Sequence, residues 1–156
     1  MEFIPATENH YKAIGHLVTS PEELYLVYPT GRYPWDVQQL AAIASQRHEL
    51  TVGIVDSAVV AFADLYDLVP QQSAFIGNVI VTKDYRGKGI GKALIQHMME
   101  ICQTKYQATP HISVFNNNTP ALLLYAGLGF VPYAVESRVN WEQKKVALLH
   151  MKYAWA

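Results

Sequence analysis

Residues 81–94, "VTKDYRGKGIGKAL", set Gly87, Gly89 and Gly91 among Lys83, Arg86, Lys88 and Lys92, between an apolar run and a helical pattern. That arrangement suits an anion. The first N–H groups of a helix lack internal acceptors and lie at the positive end of its dipole. Glycine lets the backbone approach a phosphate closely and take φ values that other residues resist. Two well-known nucleotide loops fail on spacing. A P-loop read back from Gly91-Lys92 needs glycine at 86 and a hydroxyl at 93, where Arg86 and Ala93 stand. The dinucleotide fingerprint needs G-x-G-x-x-G and an acid about twenty residues on. Here the glycines fall at 87, 89 and 91, and the region near 111 reads "HISVF". The pattern that does fit is Arg-Gly-x-Gly-x-Gly, from Arg86 to Gly91. Glycine costs about 1 kcal/mol in a helix interior, so three in five positions argue against a turn that holds nothing.

A second segment bears on the same question. In "NNNTPALLLYAGLGF", residues 116–130, an asparagine, a tyrosine and a Gly-Phe pair recur at fixed spacing. Together the two segments resemble the GNAT superfamily of acyl-CoA-dependent N-acetyltransferases. Asn118, Tyr125, Gly129 and Phe130 fall on that family's Asn-(six residues)-Tyr-x-x-x-Gly-Phe positions. The resemblance is specific over about 74–131 and architectural before that. It implies direct transfer of the acetyl group of acetyl-CoA to an amine. Arg86, Gly87, Lys88, Gly89, Ile90, Gly91 and Lys92 would cradle the coenzyme A pyrophosphate. The backbone of Val79, Ile80 and Val81 would hold the thioester oxygen and the pantetheine arm, with Asn118 placing the arm or starting a helix. Tyr125 matches the general acid for the leaving thiolate.

The base is unassigned. Many relatives carry a carboxylate on the strand before the loop, but "SAFIGNVIVT" contains none. Asn78 could hold a water there, and Asp64 or Asp67 on the neighbouring strand could lie nearby, although acids at a strand end are more often simply solvated. The acceptor is an amine on a small molecule or a peptide, of unidentified class. Tyr25, Tyr28, Tyr33 and Trp35, in a segment of about 20–70 on the acceptor side, suit one wall of its pocket. A non-catalytic acyl-CoA-binding module and a transferase for a longer acyl group are the rival readings.

The totals fit this outline. The 156 residues suffice for one domain over 1–156. Of them 51% are hydrophobic and 16% charged, which points to a folded globule. A net charge of −1 gives no general pull towards nucleic acid or a membrane surface. The lone Cys102 excludes an internal disulfide, and the six histidines do not group with it as zinc ligands. No signal peptide or spanning run is read, so a cytoplasmic location is expected, and the pattern leaves room for a homodimer.

The elements that must position these residues follow from periodicity and caps. A short strand at 3–5 precedes a helix capped by Thr7 and running through Val18, with Tyr11, Ile14, Leu17 and Val18 inward. Ser20-Pro21-Glu22-Glu23 is a capping box that opens a short helix. Asp36 caps the next helix, to about Glu49. "LTVGIV" and "AVVAFADLY" flank Asp56-Ser57 as a tight hairpin, and 74–81 is a third strand. The helix over 91–106 turns Leu94, Met98, Ile101 and Cys102 inward. A strand at 111–115, a helix with Thr119 at its cap and Pro120 next, and strands at about 131–138 and 146–153 complete the chain. The expectation is α+β: a single-domain GNAT fold, with a mostly antiparallel mixed sheet of six to seven strands and about four helices.

Overall fold

The computed structural model describes residues 1–154. The chain begins with β1 (Glu2–Pro5), then α1 (Tyr11–Gly15), α2 (Pro21–Val27) and α3 (Val37–Gln46). A meander follows, β2 (His48–Val55), β3 (Ala58–Val69) and β4 (Ser73–Val81), and leads into α4 (Ile90–Tyr106). The rest is β5 (Thr109–Phe115), α5 (Thr119–Gly127), β6 (Phe130–Val139) and β7 (Lys145–Tyr153). The seven strands form one sheet in the order β1-β2-β3-β4-β5-β7-β6. Every neighbouring pair is antiparallel except β4 and β5. The α+β class, the seven strands and the five α-helices, each where its cap or periodicity places it, agree with the sequence reading.

Local chemistry explains most boundaries. The Ser20 hydroxyl accepts from the Glu23 N–H at 3.1 Å, and Asp36 Oδ1 accepts from the Gln39 N–H at 3.0 Å, as helix caps do. Glu23 reaches back past the cap to the Thr19 N–H at 2.9 Å. At the β2–β3 turn, Asp56 and Ser57 take φ of 49° and 66°, the mirror-image turn that matches strand twist. Three boundaries differ from expectation. α1 is a single α-turn after a 3₁₀ turn at Glu8–His10 and stops at Gly15. α3 ends at Gln46, because His48–Leu50 already pairs as sheet. Asn118, rather than Thr119, holds the N-cap position of α5.

Two apolar layers sandwich the sheet. On one face α4 buries Leu94, Ile95, Met98 and Cys102 against Ala61, Ala63, Leu65, Ile76 and Ile112, with Tyr125 and Phe130 beside them. On the other, α1–α3 bury Ile14, Leu24, Leu40 and Ile43 with Trp35 against Val52, Phe62 and Ile80. Burial pushes the Cys102 thiol up to about 12, so it is an inert core residue. No described helix is long and apolar enough to cross a membrane.

Candidate active site

The site is made by an interruption in β4. Phe62 pairs with Ile80 and Asp64 with Gly77, so three steps along β4 answer two along β3. That is a β-bulge, and Asn78 carries it at a φ of 53°, a conformation asparagine tolerates better than most side chains. β4 and β5 pair from Ser73↔Thr109 to Ile76↔Ile112 and no further. Beyond Ile76 the parallel strands part, and Val79–Val81 lose their neighbour on that side.

Two cavities open at the split. The first, about 380 Å³, lies between β4, α5 and the glycine turn, lined by Val79–Val81, Arg86, Gly87, Gly89, Gly91, Lys92, Pro120, Leu124 and Tyr125. The second, about 150 Å³, sits towards α2 and the sheet centre, lined by Arg47, Tyr66, Gly77, Asn78, Ser113 and Phe115. Leu26, Val27, Val79, Asn118 and Tyr125 line both. A carrier in the first cavity and an acceptor in the second would therefore meet at Val79 and Tyr125.

The glycine turn has the form of an anion cradle. The N–H groups of Gly87 through Lys92 find no backbone acceptor among the described residues, and the first to do so is Ala93, to Gly89 at 3.1 Å. Gly87 and Gly89 take φ of 75° and 84°, and a Cβ at either would meet nothing within 4 Å. Not all seven predicted loop residues present a side chain. Ile90 is buried in the core, which leaves only its N–H for a ligand, and the Lys88 ammonium lies 5.1 Å from the Tyr85 ring centroid. Arg86 is tied down: its Nε donates to the Val81 carbonyl at 2.8 Å and its Nη2 pairs with Glu23 of α2 at 3.0 Å.

Tyr125 is buried at the junction, edge-on to Phe130 at 6.2 Å. Burial alone raises its phenol above the ordinary value, with no cation beside it to lower it again. Asn118, seven residues earlier at the N-cap of the same helix, shares that lining, and its side chain makes no capping hydrogen bond. Of the aromatic residues suggested for the acceptor wall, Trp35 is core. Tyr25 stacks on Phe115 at 4.8 Å and donates to the Val139 carbonyl at 2.7 Å, and Tyr33 is exposed.

Asp64 is not solvated at a strand end. It is fully buried in mid-strand, accepting from Arg47 Nη1 at 2.9 Å and from Asn78 Nδ2 at 2.6 Å. Because a carboxylate only accepts, it fixes the Asn78 amide with Nδ2 inward, and the buried Asn78 Oδ1 has no partner. Arg47 lies over the Tyr66 ring at 4.3 Å. A Cβ at Gly77 would come within 2.6 Å of both Arg47 Nη1 and the Tyr66 ring, so glycine is needed there for close packing. The sequence reading put Asp64 near Asn78 but missed its burial and its Arg47 partner. The one signal was a lone acid inside the apolar run "AVVAFADLY", since buried carboxylates need partners.

Burial pushes Asp64 up to about 6 against the pull of Arg47 and Asn78. The folded state therefore binds this proton more tightly than the unfolded chain, and the group's contribution to stability falls as pH rises from about 4 to about 6. Replacing Arg47 with Met should cost about 3–5 kcal/mol at pH 8, where a buried charge is left unpaired. The cost should shrink at pH 5, where Asp64 takes up a proton. Urea unfolding at the two pH values measures the difference, and an equal loss at both would contradict the pairing.

Comparison with known proteins bears on the family and the fold. The sequence model of the acetyltransferase (GNAT) family matches residues 12–130. The "[ribosomal protein bS18]-alanine N-acetyltransferase" of Escherichia coli K12 is 28% identical over 98 residues, 63% of this chain and 65% of the relative's own length. The glucosamine 6-phosphate N-acetyltransferase of Trypanosoma brucei is 27% identical over 145 residues, 85% and 87% of the two chains. The yncA protein of Salmonella typhimurium, solved with its cofactor acetyl-CoA, superposes with a TM-score of 0.79 at 16% identity, covering 97% of this chain and 92% of that one. At that identity the likeness is one of fold.

Proposed function

The chain belongs to the acetyltransferase (GNAT) family, and on that premise we propose that it moves the acetyl group of acetyl-CoA to an amine seated in the smaller cavity. The observation that carries this reading is the junction of the two cavities at Val79 and Tyr125, with unpartnered loop amides at the far end of the larger one. The residues present fit the carrier. Open space over Gly87 and Gly89 admits a pyrophosphate to the backbone, Lys92 adds charge, and Val79, Val81 and Leu124 offer an apolar wall to the pantetheine arm.

When bound, acetyl-CoA supplies an activated thioester carbonyl and a thiol leaving group. Backbone N–H groups of Val79 and Val81, which alternation along β4 turns away from β3 and towards the split, suit the oxygen that gains charge. The Tyr125 hydroxyl is the donor for the sulfur. Its raised pKa keeps it protonated, so it acts mainly by hydrogen-bonding the thiolate, whose conjugate acid is near 8.5, and less by outright proton transfer. Asn78 Oδ1, a buried acceptor without a donor, suits an N–H of the incoming amine.

The test is acetyl-CoA-dependent thiol release with a panel containing an alanyl peptide, a free amino acid, glucosamine 6-phosphate and a polyamine. Turnover with one class is the expected result. Coenzyme A binding without thiol release for any amine would overturn the transferase reading.

A further inference from the structure

The reaction needs a place for a proton. An amine is protonated near neutral pH and cannot attack until it loses that proton, and β4 offers no carboxylate. A second polar line, outside the Asp64 cluster, reaches the same cavity. Ser113 on β5 lines it. The Ser113 hydroxyl lies 2.7 Å from His150 Nδ1 on β7, and His150 Nε2 lies 2.8 Å from Glu136 Oε1 on β6. Sheet register explains the alignment. Ser113 pairs directly with His150, and His150 with Ala134, so Glu136, two residues on, projects from the same face. The line runs from an enclosed cavity to an exposed edge, where the Glu136 side chain is 45% accessible.

The network dictates which atoms carry hydrogens. Glu136 is held ionised, its carboxyl lowered first by the Arg138 hydrogen bond at 2.6 Å and next by His150. A carboxylate only accepts, so His150 bears its hydrogen on Nε2 and its Nδ1 is a bare acceptor. Ser113 must then donate to Nδ1, and because the Tyr66 hydroxyl also hydrogen-bonds Ser113, one lone pair of its oxygen is left for a donor in the cavity.

We propose that Ser113, His150 and Glu136 are the proton outlet for the acceptor amine, a role that rests on the acetyl-transfer reading of the cavity. The amine N–H bond breaks and its proton joins Ser113 Oγ, while the hydroxyl proton of Ser113 passes to His150 Nδ1. The nitrogen keeps the electron pair and becomes the nucleophile. His150, now an imidazolium, is steadied by Glu136 through its Nε2–H, and solvent at the sheet edge takes the proton away. Ser113 is the catalytic residue, because it faces the substrate. His150 and Glu136 act through it. The charged and titratable groups around His150 are Glu136, Arg138 and Tyr133 on β6, Ser113 on β5 with Tyr66 of β3 beyond it, and, across Tyr133, His111 on β5 and Lys152 on β7.

The experiment follows kcat/KM against pH, with acetyl-CoA and the basic amine that the panel identifies. The native enzyme's profile should reach a plateau, because the outlet and not the solution pH then removes the proton. His150→Gln keeps a polar side chain without a base, so it should lose about 10²-fold near neutrality. Its rate should then climb tenfold per pH unit, because only amine already uncharged in solution can react. Ser113→Ala, a smaller change, should give the same altered profile. A uniform loss that leaves the profile's shape intact in both variants, or no loss in either, would overturn the outlet while leaving the transferase reading in place. Absence of turnover by the native protein would instead overturn the reading beneath it.

Discussion

Gly89→Glu should weaken coenzyme A binding by at least about 10²-fold, beyond the reach of routine titration calorimetry. The loss has two parts. Gly89 holds a φ of 84° at the N-cap of α4, where a side chain adds about 1–2 kcal/mol of strain. The larger part is electrostatic: a carboxylate would project from the cradle towards the place a pyrophosphate would take. Because no protein atom lies within 4 Å of the Cβ position, the variant should remain folded. Gly89→Ala carries the strain without the charge and should lose far less affinity. Undiminished affinity in Gly89→Glu would remove the loop as the carrier site.

Tyr125→Phe should lower kcat by roughly 10²–10³-fold, the usual effect of losing one donor aimed at developing charge. Coenzyme A affinity and stability should change little. The Tyr125 hydroxyl makes no hydrogen bond to the described residues, and phenylalanine would keep the edge-on contact with Phe130 at 6.2 Å. Since burial raises the phenol, Tyr125 should impose no basic limb on the rate profile below pH 10. An unaltered rate would leave Tyr125 as a packing residue.

These two sites are coupled to the acceptor side through α2. Glu23 joins the α2 cap to Arg86 of the glycine turn, and Leu26 and Val27 of the same helix line both cavities. Arg86 therefore commits its Nε and one Nη2 hydrogen to the Val81 carbonyl and Glu23, holding the turn against β4. In the proposed cradle it would place the amides, with the exposed Lys92 supplying the charge.

Much of this was legible in the chain itself, because it depends on a few consecutive residues. Spacing alone separated the turn at 86–91 from P-loop and dinucleotide loops, and the Asn118–Tyr125–Gly129 interval pointed to the same family. Ser20, Asp36 and Asp56-Ser57 announced their caps and turn, since each satisfies backbone groups within four residues. The sheet's α+β class followed from the order of the elements. What tertiary structure alone decided lies across the sheet. The bulge at Asn78 exists relative to β3, and only pairing reveals that β4 leaves β5 after Ile76. Asp64 finds Arg47 and Asn78 at separations of 17 and 14 residues, and Ser113 finds His150 at 37. No local pattern encodes such partners. A one-residue slip of register would turn every one of those side chains to the opposite face, so the chemistry of the smaller cavity is a property of strand pairing, while that of the glycine turn is written in sequence.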